Sequence, residues 1–465
     1  MTASFWFKEA LAASGSLTAE KVAGRITADI CIVGGGFLGL WTAIRLKQAD
    51  PALSVVIVEK NLCGSGASGR NGGFVTSYWA QYFSLLGLAG AQGAADIARR
   101  SEQAIGELGD FCREHGIDCD YRRDGWLWVA SSAHQVGAWN GLVAELARHG
   151  QKPFEPVDTA YAARLSGSDA ILAGTFQPEA ATIQPAKLAL GLRRVALGLG
   201  VKLYEQSPML RVERGRRPVV HCANGSIEAA KLIFAMNAWA SKLRELRRTV
   251  AVVASDVMAS APLKDRLGAG RLNTGVCVCD ARMYLNYWRN TTDGRIVFGR
   301  ALGRFAFAGR VDDNYEGPSP RAQEIETAWR SFYPTLNNVP VEASWTGPIE
   351  RSMDGLPFFG HLGGHPDILY GLGFSGHGVG GPTMMGGRIL SALARGSDDE
   401  WSKLPLVREK VAQFPIEPFR YLGGRAVLGA LRRKERLEDA GRRPDWLTRY
   451  LSGLAPSGYV PKEAT

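Results

Sequence analysis

Between Ala28 and Glu59 the chain sets a strand, a glycine turn, a helix and a second strand in one short run, and that order restricts its fold more than any other feature. Ile30-Cys31-Ile32-Val33 is apolar, mostly β-branched and ends at glycine, as a parallel strand buried on both faces does. Gly34-Gly35-Gly36-Phe37-Leu38-Gly39 follows, then a helical run from Leu40 to about Gln48. Gly34 permits the tight turn, Gly36 keeps a side chain out of the path of a pyrophosphate, and Gly39 lets the helix lie close on the strand. The N–H groups and positive dipole end of that helix suit a diphosphate. Ser54 to Glu59 reads as the second strand. Glu59, about twenty residues beyond Gly39, is placed to accept both ribose hydroxyls of an adenosine half, with Phe37, Leu38 and Lys60 beside it. An acid at that position fits FAD or NAD better than NADP, whose phosphate needs a basic partner.

A chain of 465 residues is long enough for two or three domain-sized units. It is 46% hydrophobic and 22% charged, ordinary for a globular protein. No run approaches the ~20 apolar residues that span a bilayer, so no integral membrane contact is expected. Met1 to Ser14 lacks the basic start and apolar core of a secretory signal, and the expected location is cytoplasmic. Seven scattered cysteines point to reduced, buried thiols. Cys277 and Cys279 would share one face of a strand, a poor zinc or disulfide geometry, and no metal site is expected. Cys63, in a loop that should run beside the cofactor, is the thiol nearest to one that a flavin could attach to.

The net charge of +10 raises a nucleic-acid reading, but no recognition module accompanies it. Much of the excess sits after Phe419, in Arg432, Arg433, Lys434, Arg442 and Arg443. A solvated helical face accounts for it, with attraction of an anionic substrate as the second reading.

Along the chain, Phe5-Trp6-Phe7 reads as a helix or arm packed on the body. Asn61 to Gly73, rich in glycine and interrupted by Arg70 and Asn71, reads as a loop that lays its backbone against a flat ligand. A helix is expected over 94–115, a strand–turn–strand over 118–131 around Arg123-Asp124-Gly125, and further helix over 133–149. Pro185 should open another helix. Short strands are expected over 201–204, 209–213, 219–223 and 227–230, then a buried strand over 232–235. Arg282 to Gly299 reads as a hairpin about Thr292-Asp293-Gly294. Ile368 to Gly371 leads into a second glycine cluster, Gly373 to Gly381, which runs into a helix from Pro382 to about Ala394.

One glycine-rich helix start serves an adenosine diphosphate; a second needs an anion of its own. The isoalloxazine of a reduced flavin carries negative charge at its N1–C2=O edge, and a helix N-terminus aimed there stabilises it. That second turn favours FAD over NAD.

These pieces carry a resemblance. Val33 to Gly39, Gly66-Ala-Ser-Gly-Arg-Asn-Gly-Gly73, Ala235-Met-Asn-Ala-Trp239, Trp345-Thr-Gly347 through Asp354-Gly-Leu-Pro357, and Gly373-Phe-Ser-Gly-His-Gly-Val379 stand in an order that resembles the D-amino-acid/glycine oxidase-like superfamily of FAD-dependent oxidoreductases. The chain looks most like the γ-glutamylputrescine oxidoreductase branch. The resemblance spans roughly residues 28–395. It implies an α/β fold, a Rossmann-like FAD-binding domain (1–85, 180–240 and 345–420) with an interleaved mixed-sheet α+β substrate domain (86–179 and 241–344). Residues 421–465 would form a basic C-terminal helical tail outside both.

The resemblance also implies roles. Gly34, Gly36, Gly39 and Glu59 would hold the ADP part, and Gly66, Ser68, Arg70, Asn71, Gly72 and Gly73 would line the flavin ring. Met209 would contact adenine through its backbone, with Asn237, Ala238 and Trp239 at the adjacent crossover. Gly376, His377, Gly378 and Val379 would face the pyrimidine side of the ring. The implied reaction oxidises a C–N bond of a small amine or amino acid, with O2 or another acceptor taking the electrons. Arg351 is the candidate for an anionic group on the substrate, with a salt bridge to Glu350 or Asp354 as the alternative. Tyr287 and Trp288 could wall the substrate pocket or pack in the core. His377 reads as a hydrogen-bonding partner of the flavin rather than an acid–base catalyst. A same-fold dehydrogenase, a non-catalytic flavin-binding subunit and an NAD-dependent dehydrogenase are the competing readings. The oligomeric state is not set by any of these residues.

Overall fold

Gly24–Val33 is the central strand of a sheet whose parallel core runs Ile368–Leu372, Gly225–Phe234, Gly24–Val33, Val55–Val58 and Lys202–Tyr204. Phe358–His361 closes one edge antiparallel to Ile368–Leu372. The computed structural model describes residues 4–15, 17–263, 266 and 270–456. The β-branched run of the first strand is buried on both faces: helices cover Ile30 and Ile32 on one side, and Cys31 and Val33 pack on the other with Val220, Cys222, Ala240 and Leu246 from the meander and the crossover. Phe37–Ala49 and Gly381–Arg395 lie side by side on one of these faces. Their approach is close: a Cβ on Gly387 would sit 2.8 Å from the Cβ of Trp41.

The strands expected over 227–230 and 232–235 are one strand, Gly225–Phe234, in continuous parallel register with Gly24–Val33 from Gly225↔Gly24 to Phe234↔Val33. Its first half also pairs antiparallel with Val219–Cys222, which pairs with Arg211–Glu213. Met209 lies before that last strand rather than in it.

The second sheet has eight strands in the order Val341–Arg351, Ala251–Ser260, Ile296–Arg300, Asn286–Asn290, Cys277–Asp280, Trp126–Ala130, Ala173–Gln177 and Glu155–Val157. Cys277–Asp280 and Trp126–Ala130 are parallel, and the other pairs are antiparallel. The hairpin expected about Thr292-Asp293-Gly294 forms, with Gly294 at φ 81 in its turn. The strand–turn–strand expected over 118–131 does not: only Trp126–Ala130 is a strand. Asp124 is drawn off to accept from the Gly275 N–H at 2.6 Å, and Arg122 makes an isolated bridge to Thr182. Val341–Arg351 pairs along its length with Ala251–Ser260, so the sheet runs continuously past residue 345.

One expected helix differs in extent, and the one opened by Pro185 forms as expected. The helix expected over 94–115 begins at Tyr82 and continues to Glu114, broken at Gly90, where φ is 65. The helix opened by Pro185 runs to Gly198, with Gln184 capping it through the Lys187 N–H. The aromatic N-terminal arm is the helix Phe5–Ser14, capped by Ser4. Its Trp6 is buried edge-on against Trp345 and donates from Nε1 to the Asn71 carbonyl at 2.9 Å.

Beyond residue 400 the chain forms two more helices, Phe419–Asp439 and Trp446–Gly453, packed on each other. The first carries Arg432, Arg433 and Lys434 of the basic face expected there, and Arg442 and Arg443 follow its end. It also buries Arg420, Ala430, Leu431 and Glu435, so the tail is docked on the body. Among the described residues, no helix is long and apolar enough to cross a membrane.

Candidate active site

Both glycine turns leave the same ends of parallel strands. Val33 and Leu372 end strands that flank Gly225–Phe234 on either side, and each hands the chain through glycine into a helix. The two turns therefore open onto one cavity, of about 660 Å³, within the range of cofactor and ligand sites.

At the first turn, Gly34 has φ 116, and a Cβ there would stand 2.3 Å from the Ala235 carbonyl oxygen. A Cβ on Gly36 would reach Ser68 Oγ at 2.9 Å, so side-chain-free backbone faces the cavity. Gly39 is behind the turn: its Cβ would meet the Gly34 oxygen at 1.9 Å, the close packing read from the sequence. Phe37 and Leu38 line the cavity, and the Phe37 N–H donates to Ser68 Oγ at 2.9 Å. Glu59 lines it as well. Its carboxylate accepts from the Gly35 N–H at 2.8 Å and the Asn61 N–H at 2.9 Å, and burial raises its pKa. Lys60, also at the wall, stands 4.2 Å from the Trp239 ring centroid and pairs with Glu316 at 2.9 Å.

The loop from Asn61 to Gly73 is tied from several sides. Arg70 is buried; it donates from Nε to the Ser65 carbonyl at 3.0 Å, and its own carbonyl accepts from Trp345 Nε1 at 2.7 Å. Asn71 donates to the Ser68 carbonyl at 2.8 Å and accepts from the Gly73 N–H at 2.8 Å. Gly66, Ser68, Arg70, Asn71 and Gly72 reach the cavity. Gly73 does not: it turns away at φ 76 with the Ile183 oxygen where a side chain would go. Cys63 is also behind the wall, with its Sγ 2.5 Å from where a Cβ on Gly35 would lie. All seven cysteines are free and buried.

Met209, Asn237 and Trp239 line the cavity from the crossover side. Asn237 adopts φ 47 and donates from Nδ2 to Glu350 Oε2 at 2.6 Å. Ala238 is buried behind it, its N–H bonded to Asn237 Oδ1.

At the second turn, Gly376, His377, Gly378 and Val379 line the cavity beside Arg351. The His377 imidazole is kept neutral, its pKa lowered to about 3 first by burial and then by the Arg351 guanidinium. Its Nε2 lies 3.3 Å from Gln81 Nε2. The two acids weighed as partners of Arg351 are engaged elsewhere. Asp354 pairs with Arg408 at 2.5 Å, and Glu350 accepts from the Gly373 and Phe374 N–H groups at 3.1 Å each. Glu350 is buried and its carboxyl is pushed up to about 7 by that burial.

Tyr287 and Trp288 part company. Neighbours on a strand point to opposite faces, so the two cannot wall one pocket. Tyr287 faces the cavity, its hydroxyl 3.0 Å from Ser255 Oγ and its ring 2.8 Å from where a Cβ on Gly72 would lie. Trp288 is buried on the other face against Phe298, Phe332 and Tyr333, and its Nε1 donates to the Ser166 carbonyl. It is a core residue.

The structure adds residues that the sequence reading did not place at the site. Glu350 joins the second turn to the crossover. Gln81 reaches His377, and the docked C-terminal helices supply a wall through Val427, Leu428 and Leu431. The last of these was visible as an apolar i, i+3, i+4 stripe beneath the arginines.

A side-chain-free backbone cradle at a helix N-terminus, a buried acid at the end of the second strand, and a second glycine turn opening on the same space together fit one molecule of FAD. These features define a flavin adenine dinucleotide site. Comparison with known proteins agrees: the family described as DAO, FAD dependent oxidoreductase, matches residues 29–393, and this chain belongs to it. It is an FAD-dependent oxidoreductase.

The chain is 29% identical over 408 residues to the gamma-glutamylputrescine oxidoreductase of Escherichia coli (strain K12), covering 86% of this chain and 89% of that protein. It is 30% identical to the probable oxidoreductase OrdL of Rhizobium meliloti (strain 1021), over 83% of this chain and 87% of the relative. Among solved structures, glycine oxidase from Geobacillus kaustophilus superposes with a TM-score of 0.68 at 19% identity, over 83% of this chain and all of the other, a likeness of fold.

Proposed function

We propose that this chain oxidises the C–N bond of a small primary or secondary amine or amino acid to an imine, which water hydrolyses to an aldehyde or keto acid with release of ammonia or a smaller amine. O2 is the acceptor in this reading and H2O2 the second product. FAD, when bound, supplies the redox chemistry by accepting a hydride equivalent. The chain's own residues bind, orient and desolvate.

The observation that carries the reading is the junction of Glu350-Arg351 with the second glycine turn. The backbone bond from Ser375 N–H to the Glu350 carbonyl at 3.1 Å, with the two N–H bonds to its carboxylate, fixes this corner. Arg351 then offers a guanidinium at the cavity wall for a substrate carboxylate or phosphonate. Tyr287 stands on another wall, beside Gly72. The neutral His377 is suited to accept or donate one hydrogen bond at the flavin edge without adding charge. The name of the curated relative, gamma-glutamylputrescine oxidoreductase, supports an amine substrate.

In the same reading, the first sheet with its helices is the FAD-binding domain and the second sheet is the substrate domain. The adenosine half lies along Gly34, Gly36 and Glu59, with Met209 near the adenine. The protein works in the cytoplasm, with no nucleic-acid partner. Anaerobic mixing with a panel of amines and amino acids tests the reading: bleaching of the flavin absorbance, followed by peroxide on admitting air, is expected. A flavin that stays oxidised with every amine would refute it. Reduction without peroxide, restored by an artificial acceptor, would make it a dehydrogenase.

A further inference from the structure

We propose that the two C-terminal helices form the far wall and rim of the substrate compartment, and that they select amines carrying an apolar arm. The inference deepens the amine-oxidation reading and rests on it. Residues after 393, which supply this wall, lie outside the family match.

Three observations carry it. The first is placement. Along Phe419–Asp439, the residues at 424, 427, 428 and 431 recur at helical spacing and line the cavity with glycine, valine and leucine. Opposite them the second sheet and the segment after it present Val253, Leu285 and Phe305 to the same space. A Cβ on Gly424 would meet the Phe305 ring at 2.7 Å, so the helix sits directly on that side.

The second is how the tail's charges are spent. They clamp the helix to the body. Glu417 accepts from the Ala308 N–H at 2.9 Å, and Arg432 donates to the Tyr284 hydroxyl and the Gly303 carbonyl at 3.0 and 2.9 Å. Glu435 accepts from the Tyr284 N–H at 2.6 Å, and Arg282 pairs with Asp439 at 2.7 Å. A helix held at both ends in this way is a fixed wall.

The third is the rim. Phe419 and Leu454 line the cavity yet are 66% and 52% exposed, so apolar side chains edge its opening. Gly423 lines it too, and among the described residues a Cβ there would meet nothing within 4 Å. Glycine inside a helix is unfavourable relative to alanine. Among the described residues no packing requirement at Gly423 offsets that cost, and the missing side chain leaves the rim open at this position. A substrate whose polar end lies toward Arg351 and Tyr287 would extend its other end along this surface, where alkyl or aryl groups lose water most favourably.

The test uses the FAD-loaded enzyme and two homologous series, n-alkylamines and straight-chain α-amino acids. The expected result is a rise in kcat/KM of about threefold per added methylene until the arm fills the compartment. Gly423→Phe should lower kcat/KM for the longest good substrate at least about tenfold more than for the shortest, with FAD content and Tm unchanged. Leu428→Asp should flatten or invert the chain-length series by the penalty of burying a charge. Values that are flat or fall with chain length in the wild type would overturn the proposal, as would equal losses for long and short substrates in Gly423→Phe. These outcomes leave amine oxidation itself standing. A flavin reduced by no member of either series would instead remove the parent reading, and this proposal with it.

Discussion

Asn237 Nδ2 donates to Glu350 Oε2 at 2.6 Å, joining the crossover after Gly225–Phe234 in one sheet to the last strand of the other. The other oxygen of the same carboxylate takes the Gly373 and Phe374 N–H groups, so one buried acid ties the second glycine turn to both sheets. Its burial has a price in pH dependence.

Glu350 should make the protein less stable as pH rises. Its carboxyl is pushed up from 4.5 to about 7 in the fold, so in that window the native chain keeps a proton that the unfolded chain has released. Stability then falls with rising pH between the two values and levels off above the upper one, a change on the order of 3 kcal/mol. Urea unfolding at several pH values should show Glu350→Gln lacking this slope relative to the wild type. Parallel curves for the two proteins would mean that the carboxyl titrates normally.

Glu59→Ala should lower FAD occupancy. The buried carboxylate has two backbone donors and faces the cavity, where ribose hydroxyls would complete its shell. The ratio of flavin to protein absorbance in the purified variant should drop well below that of the wild type. An unchanged ratio would separate Glu59 from the cofactor.

Arg351→Ala should raise KM for carboxylate-bearing amines by about tenfold or more, and for neutral amines by far less, as loss of a charge-assisted binding contact does. Steady-state kinetics on one amino acid and its decarboxylated amine decide it. Equal effects would move the anion site elsewhere.

Arg193 and Glu205 form a buried ion pair at 2.6 Å, and Glu205 also accepts from the Cys63 N–H at 2.7 Å. Arg193→Ala leaves a carboxylate with no compensating charge behind the flavin loop. A loss of about 3–5 kcal/mol is expected in denaturant unfolding. A loss below about 1 kcal/mol would show that the pair contributes little.

Much of this site could be read from the chain because its parts are local. Gly34 to Gly39 and Gly373 to Gly381 each announce a strand, turn and helix within a dozen or so residues, and both corners formed. What failed was non-local. Arg122 and Asp124 looked like hairpin residues because their true partners, Thr182 and Gly275, are distant in sequence. The joined strand Gly225–Phe234 owes its continuity to the neighbouring Gly24–Val33, which no local pattern contains. Trp288 is a different failure: strand alternation already assigned it to the face opposite Tyr287. The tail is helical with outward basic residues, as its composition suggested, but the few apolar residues beneath them set where it docks, and the arginines hid that.

The central claim is that the two glycine corners hold opposite ends of one FAD. Titration of the apoprotein with FAD and with ADP, for the wild type, Gly36→Val and Gly378→Leu, tests it most directly. One shared cofactor requires both variants to bind FAD at least about tenfold more weakly, a loss of about 1.4 kcal/mol, while only Gly36→Val weakens ADP. Gly378→Leu binding FAD as tightly as the wild type, with its fold intact, would contradict the claim.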